Sequence, residues 1–471
     1  MFELHHLTAQ EQWAWLQRGD ITPTELATHY LDRIDRLDSE LGAFVTVTPE
    51  RALERAAEVE QRVPRSAALW GLPFGDKDLT MRAGVRTTYG SRLMADFVPE
   101  TSDELPETLD AAGAISLGKT NTPEFGLPAY TESRVAPPAR TPWDTTLGAG
   151  GSSGGAAVAV AAGLLPFAPG SDGGGSIRIP AAATGLVGLK PTRGLVPAGS
   201  GIGSLGGLAV SGPLARTVSD AAMLLDAMIG TTDFPYTLRA PRWNEGPLLG
   251  AAMRGEGRFS LAVMTTSPWD NAYDITIAPE AMAALNHGVA ELAALGHGIE
   301  ELSLEPSPDY ARDFRTIWQA GASGIPAEGD ALSLLEPLTQ WLVARGRELS
   351  ARRLAEALSG LTAFERSVIR QFAHVDAVVT PSLALTPRPV GWYDAEDGER
   401  NFEQQVQYTP FTSFVNVSGL PAITLPVHQT DDGLPMGIQL IGRPGGEATL
   451  LAIGAQLERK LQWHRRHPSV W

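Results

Sequence analysis

Cysteine is absent from all 471 residues. That excludes disulfides, thiolate zinc sites and every thiol nucleophile, so covalent catalysis would fall to Ser, Thr, Lys or a carboxylate. A long apolar run is also missing. The longest, AAVAVAAGLL (156–165), is well short of the ~20 residues a bilayer requires, and no membrane partner is expected. The start, MFELHHLTAQEQW, lacks the basic head and apolar stretch of a secretory signal, so the expected location is cytoplasmic. Positive charge is scarce: the formal net charge is −17 with no basic cluster, which argues against a nucleic-acid partner, because phosphate binding needs a concentrated basic surface. No internal repeat is evident.

What is present is an ordinary globular composition, 43% hydrophobic and 19% charged, rich in turn formers with 50 Gly and 35 Pro. The chain is long enough for a large core. Residues 1–65 read as a helical segment, with Thr22-Pro-Thr-Glu as a helix start. Residues 66–229 change character: LWGLPFGDKDL and AGAISLGKTN look like strands, PFAPGSD is a short strand, and VSDAAMLLDAMIG is a helix. The block 230–373 is mostly helical, carries Trp243, Trp269, Trp318 and Trp341, shows one clear strand (RFSLAVM), and reads as an insertion or cap. Residues 374–471 return to strands and close with a helix. The expected fold class is α/β.

Two motif matches fail on their surroundings. GIGSLG (201–206) fits a dinucleotide fingerprint, with Asp220 near the distance of a ribose ligand, but Pro213 and no helix start follow it. GGSSG (150–154) fits a nucleophile elbow, yet that fold also needs a histidine. Nothing around His428 or His464 distinguishes either from a surface or core histidine. SDGGGSIRIP (171–180) has the glycines of a linker but lies between the apolar stretches LLPFAPG and AAATGLVGL.

Three stretches form a stronger set: GDKDL with Lys77, GGSSGGAAVA with Ser152, and SDGGGSIRIP with Ser176. Together with AGAISLGKTNTPEFG, TPWDTTLGAGG, GLVGLKPTRGLVPAGS, GPLARTVSDAA, FVNVSGLPAITLPV and LPMGIQLIGRP, they give a chain that closely resembles the amidase signature family. Only 230–373 is left unmatched. The resemblance implies a central twisted mixed β-sheet flanked by α-helices, with 230–373 as a variable insertion. It also implies a Ser-Ser-Lys triad of Ser176, Ser152 and Lys77, with a cis peptide before Ser152 and no cofactor or metal. The sequence departs from the family pattern at Pro137 and Thr141, where Gly and Asn are usual. Asp76 replaces a more usual apolar residue, and Gly173 stands where a β-branched residue often does.

Physical chemistry sets demands on these residues. A serine hydroxyl needs a neighbouring base, and a lysine of ordinary pKa is too seldom neutral at pH 7. Lys77 must therefore be lowered by about three pH units, about 4 kcal/mol, which burial can achieve. Strand alternation sends Lys77 away from Asp76 and Asp78. Ser152 can relay the proton between Ser176 and Lys77. Backbone N–H groups of Gly173, Gly174, Gly175 and Ser176 are the candidate oxyanion hole. Asp172 and Arg178 are expected to hold the loop through an ion pair or backbone hydrogen bonds, and Ser153 to cap the following helix.

The expected partner is a small amide-type substrate, apolar or aromatic, bound near Tyr130, Thr131, Trp318, Trp341 and Trp392, by a monomer or homodimer. Anilides, carbamates and esters are further candidates. Two alternatives stand beside it: the glutamine-amidase subunit of a tRNA-dependent amidotransferase, and a catalytically silent binding protein.

Overall fold

The computed structural model describes residues 3–198, 201–230 and 246–471. Trp243 lies outside them. Eleven strands among the described residues form two sheets. The smaller has three strands: β1 (Phe44–Val47) pairs antiparallel with the central β3 (Ile115–Thr120), and β2 (Pro73–Lys77) lies parallel to β3 on its other side. The larger has eight strands: β4 (Phe167–Asp172), β6 (Val210–Ala215), β5 (Val187–Lys190), β10 (Ala422–Gln429), β11 (Pro435–Gly442), β9 (Ala377–Pro381), β7 (Ser260–Val263) and β8 (Gly298–Glu301). Pairing is antiparallel from β4 to β9 and parallel from β9 through β7 to β8, so the sheet is mixed, as expected.

The N-terminal helices begin where their caps place them. Thr8 and Thr22 each accept from the N–H three residues on, while Glu11 and Glu25 reach back, and Pro23 occupies the first turn. The helical segment is nonetheless interrupted by β1, which four residues of FVTV were too short to announce. A second strand was also unforeseen within 230–373. Besides β7, this block supplies β8, an exposed edge strand of sequence GIEE whose polar residues lack alternation. The block is thus part of the main sheet as well as a layer of helices over it. The GIGSLG run is a 3-10 turn leading directly into β6, so no strand-to-helix phosphate turn forms.

The helix Gly154–Ala161 is buried along its whole length. Its small residues allow close approach on every side: a Cβ on Gly155 would lie 2.2 Å from the Asn121 nitrogen. This helix packs against β2, β3 and β4, at the point where the two sheets come together. Among the described residues no helix is long and apolar enough to cross a membrane.

Candidate active site

Lys77 is the last residue of β2, and it is 2% exposed. Alternation along the strand separates it from its neighbours. Asp76 takes Arg82 as its ion-pair partner at 2.6 Å, and Asp78 faces Lys119 on β3. Lys77 reaches across to the larger sheet, donating through Nζ to Ser152 Oγ at 2.8 Å, Ser153 Oγ at 2.9 Å and Ser171 Oγ at 3.0 Å. All three are neutral hydroxyls. Burial pushes the Lys77 ammonium down to about 7, opposed by the more distant charge of Asp172.

Ser152 follows a cis peptide bond from Gly151, and its carbonyl accepts from Thr122. Ser153 does not cap the helix after it. Its hydroxyl is drawn instead to Lys77 and the Ser171 carbonyl, because a buried ammonium is a stronger partner than a helix N–H. Ser171, inside the SDGGGS stretch, was missed as a Lys77 partner. The available signal was its position at the end of a strand running into the glycine turn.

The turn Gly173–Ser176 is held from below by Asp172. Its carboxylate accepts from the Gly175 and Ile177 N–H groups at 2.8 and 3.1 Å and from Arg178 in a two-pronged pair at 2.9 and 3.0 Å. Ion pair and backbone hydrogen bonds therefore occur together. Arg178 spends its remaining donors on the Thr412 carbonyl, Gln439 and Asn416. Burial would raise the Asp172 carboxyl, but Arg178 outweighs it and holds Asp172 well below the usual range. Because the Gly175 N–H is committed to Asp172, it is not available to an oxyanion, which leaves Gly173, Gly174 and Ser176 as candidate donors. Gly175 has φ +133°, and a Cβ there would lie 2.4 Å from Thr412 Oγ1, so only glycine fits.

Ser176 opens on two cavities. One, about 290 Å³, is also lined by Ser152, Ser171, Gly173, Phe125 and Ile317. The other, about 60 Å³, is walled by Trp269, Phe314, Phe402, Val406 and Ile179. Trp318 lines both. The other expected lining residues stand outside these two walls. Tyr130 stacks on Tyr393 at 4.0 Å and accepts from Asn401, and Thr131 donates to the Gly150 carbonyl. Trp341 packs on Gly398 beneath Arg315, and Trp392 lies edge-on to Tyr393 under Arg388. Each of these four side chains packs on or bonds to other parts of the fold. Trp269, Phe314 and Phe402 were not singled out as lining residues, since in sequence they look like ordinary core aromatics.

The amidase family model matches residues 25–451. The chain belongs to the amidase family. It is 40% identical to the Mycobacterium tuberculosis protein AmiB2, over 98% of both chains. It is 35% identical to a glutamyl-tRNA(Gln) amidotransferase subunit of Thermosynechococcus vestitus, over 98% of this chain and 99% of the other. Among solved structures, 6-aminohexanoate cyclic dimer hydrolase superposes with a TM-score of 0.90 at 30% identity, covering 99% of this chain and 100% of that one. A bacterial aryl acylamidase of the amidase signature family gives 0.86 at 25% identity, covering 98% and 97%. This amidase-family chain is therefore a hydrolase of the class that acts on amide C–N bonds, and the mixed sheet and its covering helices are its version of that fold.

Proposed function

We propose that this protein hydrolyses a small, uncharged, apolar or aromatic amide through an acyl-enzyme on Ser176. In its neutral form Lys77 has two N–H donors and one lone pair. The donors are met by Ser153 and Ser171, which leaves the lone pair for the Ser152 hydroxyl. Ser176 Oγ attacks the carbonyl carbon while its proton passes through Ser152 to Lys77. The Gly173, Gly174 and Ser176 N–H groups face the developing oxyanion. The proton then returns through Ser152 to the leaving nitrogen as the C–N bond breaks. Water reverses the sequence: it attacks the ester carbon, its proton enters the relay, the C–O bond breaks and Ser176 recovers its hydrogen. No metal or cofactor enters these steps.

One observation carries the choice of substrate. Among the described residues, none lining either cavity is charged. The polar walls of the aromatic pocket are already engaged: Gln405 accepts from Ala129 and donates to Asn401, and Ser413 is bonded to Trp269 and Tyr310. Free glutamine would carry an ammonium and a carboxylate into a site without counter-charges, at a cost of several kcal/mol. That favours a stand-alone amidase, monomeric or homodimeric, over a component of an amidotransferase.

The test is a hydrolysis panel of matched amides, anilides, carbamates and esters alongside glutamine, with fluorophosphonate labelling of Ser176. The expected result is labelled Ser176 and turnover of apolar amides. A preference for glutamine overturns the substrate assignment, and an unlabelled Ser176 overturns the nucleophile.

A further inference from the structure

The two cavities have only Leu127, Ser176 and Trp318 in common. Trp318 comes from the helix Tyr310–Ala322, and its indole is stacked on Phe314 with ring centroids 5.5 Å apart. It lies directly over the glycine turn. A Cβ built on Gly173 would meet the Trp318 ring edge at 3.5 Å, and one on Gly174 would meet it at 3.9 Å. A Cβ at either position would only just touch the ring, so the indole packs at van der Waals distance over the turn. Trp318 is therefore a wall standing at Ser176, with the wide cavity on one side and the aromatic pocket on the other.

The cavities also differ in what they offer the two halves of an amide. Ser152, the group placed to return a proton to the leaving nitrogen, lines only the wide cavity. When the C–N bond breaks, the nitrogen gains that proton while the carbonyl carbon stays bonded to Ser176 Oγ. The nitrogen must then face Ser152, and the acyl carbon's substituent is directed to the other side of Trp318.

Taking Ser176 as the nucleophile proposed above, we infer that Trp318 divides the site into an aromatic pocket for a short acyl group and a wide cavity for a bulkier amine. The substrate class is that of short-chain acyl amides of large apolar or aryl amines. Phe402 sets the limit on the acyl side, and Ile317 helps set it on the amine side.

Reversed amide pairs test this on the wild-type protein. An N-aryl acetamide should exceed the N-methyl amide of the corresponding aryl carboxylic acid by at least about tenfold in kcat/KM, the discrimination one misplaced apolar group gives. The opposite ranking, or equality, overturns the division. Two variants localise the wall. Phe402→Ala should raise the hexanoyl-to-acetyl ratio in an anilide series by about tenfold and leave the amine ranking unchanged, and Ile317→Ala should do the converse. Identical changes in both series for both variants overturn the assignment. Fluorophosphonates of graded alkyl length give the same information from the rate of Ser176 labelling. An active, labelled enzyme with an unaltered profile refutes the division alone, whereas loss of labelling in the wild type refutes the nucleophile and the division together.

Discussion

Lys77 and Lys119 stand at the ends of adjacent parallel strands, are 2% and 0% exposed, and do opposite things. The register pairs Asp76 with Lys119 and Lys77 with Thr120. Lys119 therefore turns to the face where Asp78 lies 3.5 Å away, and donates as well to Thr87 Oγ1 and the Thr80 carbonyl. Lys77 turns to the other face and meets hydroxyls. Burial lowers both ammonium groups, but at Lys119 it is opposed by Asp78 and Asp76, whereas at Lys77 only the remote Asp172 opposes it. A buried lysine beside a carboxylate is a structural cation. One surrounded by hydroxyls can give up its proton near neutrality and act as a base.

The largest expected effect breaks the comparison at Lys77. Lys77→Met and Ser176→Ala should each reduce amide turnover by about 10⁴-fold or more, with thermal melting close to wild type because neither change strands a buried charge. Substantial hydrolysis by either variant would contradict the relay. At Lys119 the reverse is expected. Lys119→Met leaves Asp78 buried without its cation and should cost about 3–5 kcal/mol in denaturant unfolding, while turnover per folded molecule is retained. Asp172→Asn, which strands Arg178, should be destabilising by a similar amount and, because Asp172 also holds the glycine turn, should lower turnover per folded molecule as well.

The pH profile sharpens the contrast. The base must be neutral, so kcat/KM should be fully present above about 7 and fall tenfold per pH unit below it. Placing a carboxylate beside Lys77 with Ser171→Asp should make it resemble Lys119. The added charge favours the ammonium, raises the Lys77 pKa and moves this acid limb alkaline by at least about one pH unit. An unmoved limb would mean that another group titrates there. The smallest effect is expected from Ser153→Ala, which removes one of the Lys77 hydrogen bonds and should lower kcat/KM by about tenfold or less.

Much of this was legible before the fold was known. Lys77, Ser152 and Ser176 were singled out by the resemblance of their surroundings to the amidase signature family, and period-two alternation correctly separated Lys77 from Asp76 and Asp78. The helix start at Thr22 follows from local capping chemistry, which involves only three or four neighbouring residues. Short, polar or isolated strands such as β1 and β8 escaped notice because their register is set by partners distant in the chain.

The site's other participants were hidden for the same reason. Ser153 reads as a helix cap until a lysine from another sheet comes within 2.9 Å of it. Gly175 reads as an oxyanion donor until Asp172 takes its N–H. Trp341 and Trp392 look as suitable for a pocket as Trp318, and what separates them is that, of the three, Trp318 alone lines the cavities at Ser176. By itself the sequence marked the candidate reacting groups, the glycine turn that carries one of them and the absence of thiol chemistry, since these depend on residue type and near neighbours. The tertiary structure alone decided which hydroxyls surround Lys77, which donors of the turn are already spent, and which tryptophan stands at Ser176, because burial and hydrogen-bond competition are settled by residues far apart in the chain.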